Sequence, residues 1–170
     1  FGARWAIPDI TFTQRMLFHW GGPDTILEHH PGPAPGSIWV IIPEARVIFV
    51  GDTISFDQPP FLASADLPAW IESLELLQSN YKEFSIISGR SGKVGADKIR
   101  AQLKMHRKIL RGLEKLSARG APPEATENLI AGILLELSIP VKRREHYIQR
   151  LRHGLYYYYS QHYHTLEASN

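Results

Sequence analysis

Cysteine is absent from this chain of 170 residues, which excludes a disulfide scaffold, a thiol nucleophile and a thiolate metal site. Hydrophobic runs are short: Leu129–Leu135, one of the longest, is far below the roughly 20 residues that cross a bilayer. No charged-then-apolar leader opens the chain, which together with the absence of cysteine favours a cytoplasmic protein. The remaining composition, 44% hydrophobic and 21% charged, is typical of one compact domain and excludes a disordered chain.

The chain also lacks a strong charge of either sign, but its charges are unevenly distributed around a net charge of +2. Residues 1–92 carry five basic and ten acidic side chains, whereas residues 93–170 carry fourteen basic and seven acidic ones. This asymmetry indicates two regions of different character. We expect a sheet region with one helix over residues 1–92 and a basic helical region over residues 93–170, packed together as one domain.

Apolar runs separated by turn residues predict five strands in the first region. These strands are Ile10–Trp20, Thr25–His30, Ser37–Ile42, Arg46–Val50 and Glu83–Ile87. A helix is predicted before the fifth strand, because Asp66 is a suitable N-cap and Pro68 suits the first turn.

Apolar residues at helical spacing predict three helices in the second region. They are a helix that contains Ile99, Leu103, Leu110 and Leu113, and the helices Glu124–Leu137 and Lys142–His164. His106 lies in the stripe of the first of them, where a packed histidine is expected. The last helix contains four adjacent tyrosines, Tyr156–Tyr159, which surround the helix axis, so some are expected to pack and others to be exposed.

Four short motifs follow one another in a recognisable order. They are Pro31-Gly32-Pro33-Ala34-Pro35-Gly36-Ser37, Gly51-Asp52 after a strand, the loop Pro60-Phe61-Leu62 and Gly89-Arg90 after a further strand. This order resembles the metallo-β-lactamase superfamily, whose pattern here is Pro-Gly-His-Thr-Pro-Gly-Ser, then Gly-Asp, then Gly-His. The resemblance implies an α/β fold, the αββα sandwich, of which this chain would be the C-terminal half followed by a helical C-terminal region.

The departures from the family pattern all affect its metal ligands. The His-x-His-x-Asp-His motif, which supplies most of the family's ligands, is absent from the 170 residues. Pro33 and Arg90 stand where the two later motifs have histidine, and neither side chain can ligate a metal. Only Asp52, the family's bridging carboxylate, remains, and zinc needs three or four protein ligands. The pattern therefore predicts a degenerate metal site and no cofactor.

Asp52 and Arg90 would lie at the same ends of neighbouring strands if the family topology holds. A guanidinium there would neutralise the carboxylate that a metal otherwise neutralises. We therefore predict an Asp52–Arg90 ion pair, and a separation above about 6 Å would contradict it. The expected pocket around this pair consists of Asp52, Arg90, Pro33, Ser88 and Ser91.

Two classes of function follow. The first is a catalytically impaired member of the superfamily with a structural or ligand-binding role, for which a small-molecule ligand is one candidate partner. The second is a metal-dependent hydrolase of an ester, thioester, lactam or phosphodiester, whose remaining ligands lie in a missing N-terminal segment. In that case Asp52 would be a zinc or other divalent-metal ligand and a catalytic proton acceptor.

A third interpretation concerns the basic helix. Eight basic residues lie between Lys98 and Arg119 against one acidic residue, Glu114. Such a run binds phosphates in some proteins, and a solvated helix face is the commoner explanation. The side chains that would contact a nucleic acid or a phosphate are Lys104, Arg107, Lys108 and Arg111.

The resemblance also has a consequence for partners. Half of a sandwich exposes the sheet face that would otherwise pack on the second sheet, and large apolar faces associate. We therefore expect either a homodimer or a separate N-terminal fragment of the same protein as partner. The first residue, Phe1, is consistent with a lost N-terminal segment. No membrane partner is expected.

Overall fold

The computed structural model describes residues 7–163, which form six strands and four α-helices. The strands are β1 (Arg15–Phe18), β2 (Thr25–His29), β3 (Ile38–Ile42), β4 (Val47–Gly51), β5 (Ser85–Ser88) and β6 (Gly92–Val94). The helices are α1 (Leu67–Ser79), α2 (Ala96–Ser117), α3 (Glu127–Leu134) and α4 (Arg144–His162). Short 3-10 helices, Pro123–Thr126 and Val141–Arg143, precede α3 and α4.

The six strands form one sheet in sequence order, β1-β2-β3-β4-β5-β6. Neighbouring strands are antiparallel except β4 and β5, which are parallel. The long connection that a parallel pair requires contains α1. Because β4 and β5 run in the same direction, the residues that follow them meet at one edge of the sheet.

The sheet has one buried row and one partly exposed row of apolar side chains in register. The buried row, one residue on each of five strands, consists of Ile26, Ile41, Ile48, Ile86 and Val94. These side chains belong to a single core cluster that also includes residues of all four helices. The row on the opposite face, called the outer row below, consists of Met16, Leu27, Val40, Phe49 and Ile87.

Helix α1 begins as its sequence predicts. The side chain of Asp66 accepts a hydrogen bond of 3.0 Å from the backbone N–H of Ala69, which satisfies one of the free amide groups of the first turn. Trp70, Leu74 and Leu77 lie one or two turns apart and are all fully buried. The predicted N-cap and the predicted apolar face of α1 are therefore both confirmed.

Several element boundaries differ from the prediction. Strand β1 covers only four residues of the predicted Ile10–Trp20, because its partner β2 offers only five residues for pairing. Strand β6 was not predicted, since only one of its three residues, Val94, is apolar. The predicted helix Glu124–Leu137 is a 3-10 turn followed by the shorter α3, and within that turn the hydroxyl of Thr126 donates to the carbonyl of Pro123 at 2.7 Å. Position 164 lies outside the described residues.

Two predictions about helical side chains are confirmed. His106 is fully buried in the α2 stripe. In α4, Tyr158 and Tyr159 are buried, whereas Tyr156 and Tyr157 are exposed. Leu110 is only half-buried and the neighbouring Ile109 is buried in its place, so the apolar stripe of α2 lies one residue earlier there. Within residues 7–163, no helix has both the length and the apolar composition needed to cross a membrane.

Candidate functional site

The candidate site lies at the sheet edge where β4 and β5 end. Gly51 closes β4 in a left-handed conformation, with a φ of 54°, which a glycine adopts without strain. The backbone N–H of Gly89 donates to the carbonyl of Gly51 at 2.9 Å. This hydrogen bond holds the two strand ends together, so that Asp52 and Arg90, the next residue on each side, face one another.

Asp52 and Arg90 form the predicted ion pair. Nη2 of Arg90 donates to Oδ2 of Asp52 at 2.8 Å, and each side chain is 42% exposed. The hydrogen bond to the Asp52 carboxylate raises the pKa of Arg90 above its ordinary value. Asp52, whose position resembles that of a family metal ligand, is thus hydrogen-bonded to the permanently charged guanidinium of Arg90.

Ser88, a buried residue at the end of β5, organises the backbone beside this pair. Its hydroxyl accepts hydrogen bonds from the backbone N–H groups of Arg90 at 3.1 Å and Ser91 at 3.2 Å. The same hydroxyl donates to the carbonyl of Ile54 in the loop after β4. Ser88 therefore links the loop that carries Asp52 to the turn that carries Arg90. The structure brings together Asp52, Arg90, Ser88 and Ser91.

The loop after Asp52 is anchored by a buried polar network that the sequence patterns did not predict. The indole N–H of Trp39 donates to the hydroxyl of Thr53 at 3.0 Å, and the indole N–H of Trp70 donates to the backbone carbonyl of Thr53 at 2.7 Å. The side chain of Gln102, on α2, donates to the same carbonyl and accepts from the backbone N–H of Ser55. In the sequence, the one sign of this network is Gln102, a polar residue within the apolar stripe of α2. A buried amide group needs hydrogen-bond partners for both its oxygen and its nitrogen.

Pro33 lies in a different set of contacts. It is buried in the loop between β2 and β3, and the carbonyl of its neighbour Gly32 accepts from the backbone N–H of Asp66 at 2.9 Å. Gly32 packs closely against Trp70: a Cβ added to Gly32 would lie 3.0 Å from Cγ of Trp70. Among residues 7–163, no hydrogen bond or ion pair joins Pro33 to Asp52 or Arg90. Its membership of the pocket stays a prediction.

The metal-binding capacity of the site depends on its donor groups. In the part of the chain that the structure describes, no three side chains of His, Asp or Glu are arranged to hold a metal ion. A zinc site requires at least three protein ligands, and the group next to Asp52 is a guanidinium. The described residues therefore do not by themselves fit the metal centre that the superfamily pattern implies.

A second guanidinium lies beside the pair. Arg90 and Arg150 both contact the ring of Phe61, with distances from Cζ to the ring centroid of 4.9 Å and 4.1 Å. Phe61 belongs to the loop before α1 and Arg150 to α4, so the helical region contributes to the surroundings of the sheet edge. In the sequence, Phe61 stands out only as part of its loop motif, and no local pattern marks Arg150.

The four basic residues predicted to contact a nucleic acid are exposed on α2. Arg107 pairs with Glu75 and Lys108 with Glu136, each at 2.6 Å. Arg111 donates to the carbonyl of Arg107, and Lys104 lines a neighbouring cleft. Two of the four charges are therefore compensated by carboxylates of the chain itself.

Comparison with known proteins adds three kinds of finding. The family model described as the metallo-beta-lactamase superfamily matches residues 1–88. No curated protein matches the sequence. Many solved structures are similar in fold, and three of them are described next.

A metallo-beta-lactamase from Pontibacter korlensis is 20% identical with a TM-score of 0.54, over 60% of this chain and 50% of that one. The stereoselective inverting sec-alkylsulfatase Pisa1 from Pseudomonas sp. is 14% identical with a TM-score of 0.64, over 96% of this chain and 28% of that one. A metallo-beta-lactamase family protein from Thermus thermophilus is 17% identical with a TM-score of 0.58, over 88% of this chain and 49% of that one. The chain spans half or less of these structures.

Proposed function

Because the chain belongs to the metallo-β-lactamase superfamily, we propose that it retains the superfamily's fold with a degenerate metal site and has a structural or ligand-binding role. The observation that carries this proposal is the 2.8 Å contact between Arg90 and Asp52. A guanidinium has no lone pair for a metal and does not lose its proton in proteins. A divalent cation at Asp52 would have to displace this partner and then remain beside its charge.

Two further observations support the proposal. The hydroxyl of Ser88 and the Gly89–Gly51 hydrogen bond fix the backbone on both sides of the pair, so Arg90 is held at Asp52 by more than its own side chain. The described residues also offer no set of three metal-binding side chains. The arrangement favours a closed sheet edge over an open metal coordination site.

The alternative is a metal-dependent hydrolase of an ester, thioester, lactam or phosphodiester. One observation favours it: the chain spans only 28–50% of the solved structures described above, so sequence outside it can supply ligands. In that case Asp52 would be the metal ligand and proton acceptor that this chain contributes, and zinc or another divalent metal would be the cofactor.

Metal analysis separates the two proposals. We expect the purified protein, dialysed against zinc, manganese or iron(II) and then against buffer, to retain clearly less than one equivalent by mass spectrometry. The Asp52→Asn variant should give the same result. A full equivalent that is lost in Asp52→Asn, together with chelator-sensitive hydrolysis of an ester or phosphodiester, would instead establish the hydrolase.

A gain-of-ligand variant sharpens this test. Arg90→His removes the guanidinium from Asp52 and places an imidazole where the family pattern has one, so its affinity for zinc should rise above that of the wild type. Arg119→His adds a histidine at an exposed position beyond α2 and should not change the affinity. Equal zinc binding by both variants would contradict the role assigned to Arg90.

A further inference from the structure

A cleft of about 370 Å³ lies between α4 and the loop that precedes α1. Gly154 allows the helix to approach this loop, since a Cβ at that position would lie 3.2 Å from Cβ of Leu62 and 3.4 Å from its backbone nitrogen. The loop side of the cleft is mainly apolar and the helix side is polar. The loop contributes Phe61, Leu62, Ala63 and Ser64, and the helix contributes His146, Gln149, Arg150 and His153 beside Gly154.

Arg150 is the central cation of this cleft, and its position is fixed by packing. Its guanidinium lies on the ring of Phe61 at 4.1 Å from the centroid and near the ring of Tyr147 at 5.1 Å. Its hydrogen bonds are long: Nη1 donates to Oε1 of Gln58 at 3.3 Å and to the carbonyl of Pro59 at 3.4 Å, and Nη2 lies 3.4 Å from Nε2 of His146. The aromatic contacts and the weak hydrogen bonds leave strong donor capacity on the guanidinium.

The charge of Arg150 is not compensated by the described part of the chain. No carboxylate of residues 7–163 forms an ion pair with it, whereas Arg90 and Arg152 each have one. Partial burial, assisted by the positive charges of Arg90 and Arg143, lowers the pKa of Arg150. Arginine still stays protonated, so a half-buried positive charge faces the cleft.

We propose that this cleft binds a small organic oxyanion, with its charged head on Arg150 and its apolar part against Phe61 and Ala63. Guanidinium groups pair most favourably with carboxylate, phosphate and sulfate oxygens, often through two parallel hydrogen bonds. None of the residues that line the cleft is acidic, so no carboxylate in its walls repels an anion. This site goes beyond the proposed function, because it does not depend on whether Asp52 holds a metal.

Isothermal titration calorimetry at physiological ionic strength tests the proposal with hexyl phosphate, hexyl sulfate and hexanoate, and with inorganic phosphate and hexanol as partial ligands. We expect saturable binding of at least one hexyl oxyanion, tighter than that of either partial ligand. Replacement of Arg150 by glutamine should weaken it by about tenfold or more, the effect of losing a charge-assisted hydrogen bond.

Arg152→Gln is the matched control. It removes a charge of the same sign two residues further along α4, and the Arg152 side chain is paired with Glu127. It should change the affinity by less than about twofold, since exposed charges at a distance are screened. Arg150→Lys keeps the charge and should bind more tightly than Arg150→Gln. Circular dichroism confirms that each variant is folded.

Three outcomes would overturn the site. One is the absence of saturable binding of every hexyl oxyanion to the wild-type protein. Another is equal affinity of wild type and folded Arg150→Gln. The third is binding of hexanol as tight as that of the oxyanions, which would show an apolar cleft in which the charge of Arg150 has no role.

Discussion

At the scale of single residues, the Asp52–Arg90 pair matters for chemistry more than for stability. Both side chains are partly exposed, and exposed ion pairs contribute only about 0–1 kcal/mol to folding. Its consequence is that the carboxylate already has a cationic partner. The buried hydroxyl of Ser88, which satisfies two amide groups of the turn, has the more structural role.

His106 is the residue with the clearest expected effect on stability. Its ring is fully buried, Nδ1 donates to the carbonyl of Gln102 at 2.9 Å, and Nε2 has no partner among the described atoms. Burial lowers the pKa of His106 to about 4. Between pH 4 and about 6.5 the unfolded chain therefore binds more protons than the folded one. The free energy of unfolding should fall by about 3 kcal/mol as the pH drops through this window.

Urea denaturation between pH 4 and 8 measures this effect. In His106→Leu the contribution of this residue disappears, so the fall in stability toward pH 4 should be smaller than in the wild type. His153→Gln is the control, because His153 is exposed on α4, and it should keep the wild-type dependence. An unchanged pH dependence in His106→Leu would refute the assignment.

At the scale of elements, the packing of α4 on the loop before α1 depends on a small residue. Gly154 lies in the interior of α4, where glycine costs about 1 kcal/mol relative to alanine. The cost is offset by close approach, since the backbone of Leu62 lies within 3.4 Å of an added Cβ. The cleft that holds Arg150 is therefore formed by two elements that a larger side chain would separate.

A pair of glycine-to-alanine substitutions tests this packing. Gly132, in α3, has only Nζ of Lys108 near an added Cβ, at 3.8 Å. Gly132→Ala should therefore stabilise the protein by about 0.5–1 kcal/mol through helix propensity. Gly154→Ala should stabilise the protein less than this or destabilise it, because the added Cβ would contact Leu62. Equal stabilisation by both, measured by chemical denaturation, would show that the close approach of α4 is not required.

At the scale of the whole molecule, the two faces of the sheet differ in cover although both are apolar. The buried row packs with the helices in the core, whereas the outer row is only partly covered, with Phe49 42% exposed. Apolar surface of this kind associates because burial removes it from water. We propose that a second copy of the chain covers the outer row, in a symmetric dimer.

Light scattering on the purified chain tests this association. We expect a mass of twice the monomer, and the Phe49→Asp variant should shift it toward the monomer because the charge would be buried at the interface. Val141→Asp, at an exposed position before α4, is the control and should leave the mass unchanged. A monomeric wild-type chain would exclude self-association and favour a separate N-terminal segment as the partner.

Local sequence signals predicted much of the fold and part of the site. The N-cap of α1 and the hairpin strands β2 to β4 were predictable because they depend on residues close together in the sequence. The family pattern, carried by short motifs, predicted the α/β fold and the two strand ends that bring Asp52 and Arg90 together. Strand β6 and the 3-10 turn before α3 were missed, because their residues carry weak periodicity.

The sequence by itself determined that an arginine follows β5 at the sheet edge, where the family pattern has a histidine, and a guanidinium cannot ligate a metal whatever the packing. Only the tertiary structure decided what surrounds that edge. Trp39, Trp70 and Gln102 converge on Thr53 from three elements, and Arg150 reaches Gln58 across 92 positions of the chain. Contacts between residues this far apart leave no local pattern, because they depend on how helices pack on the sheet.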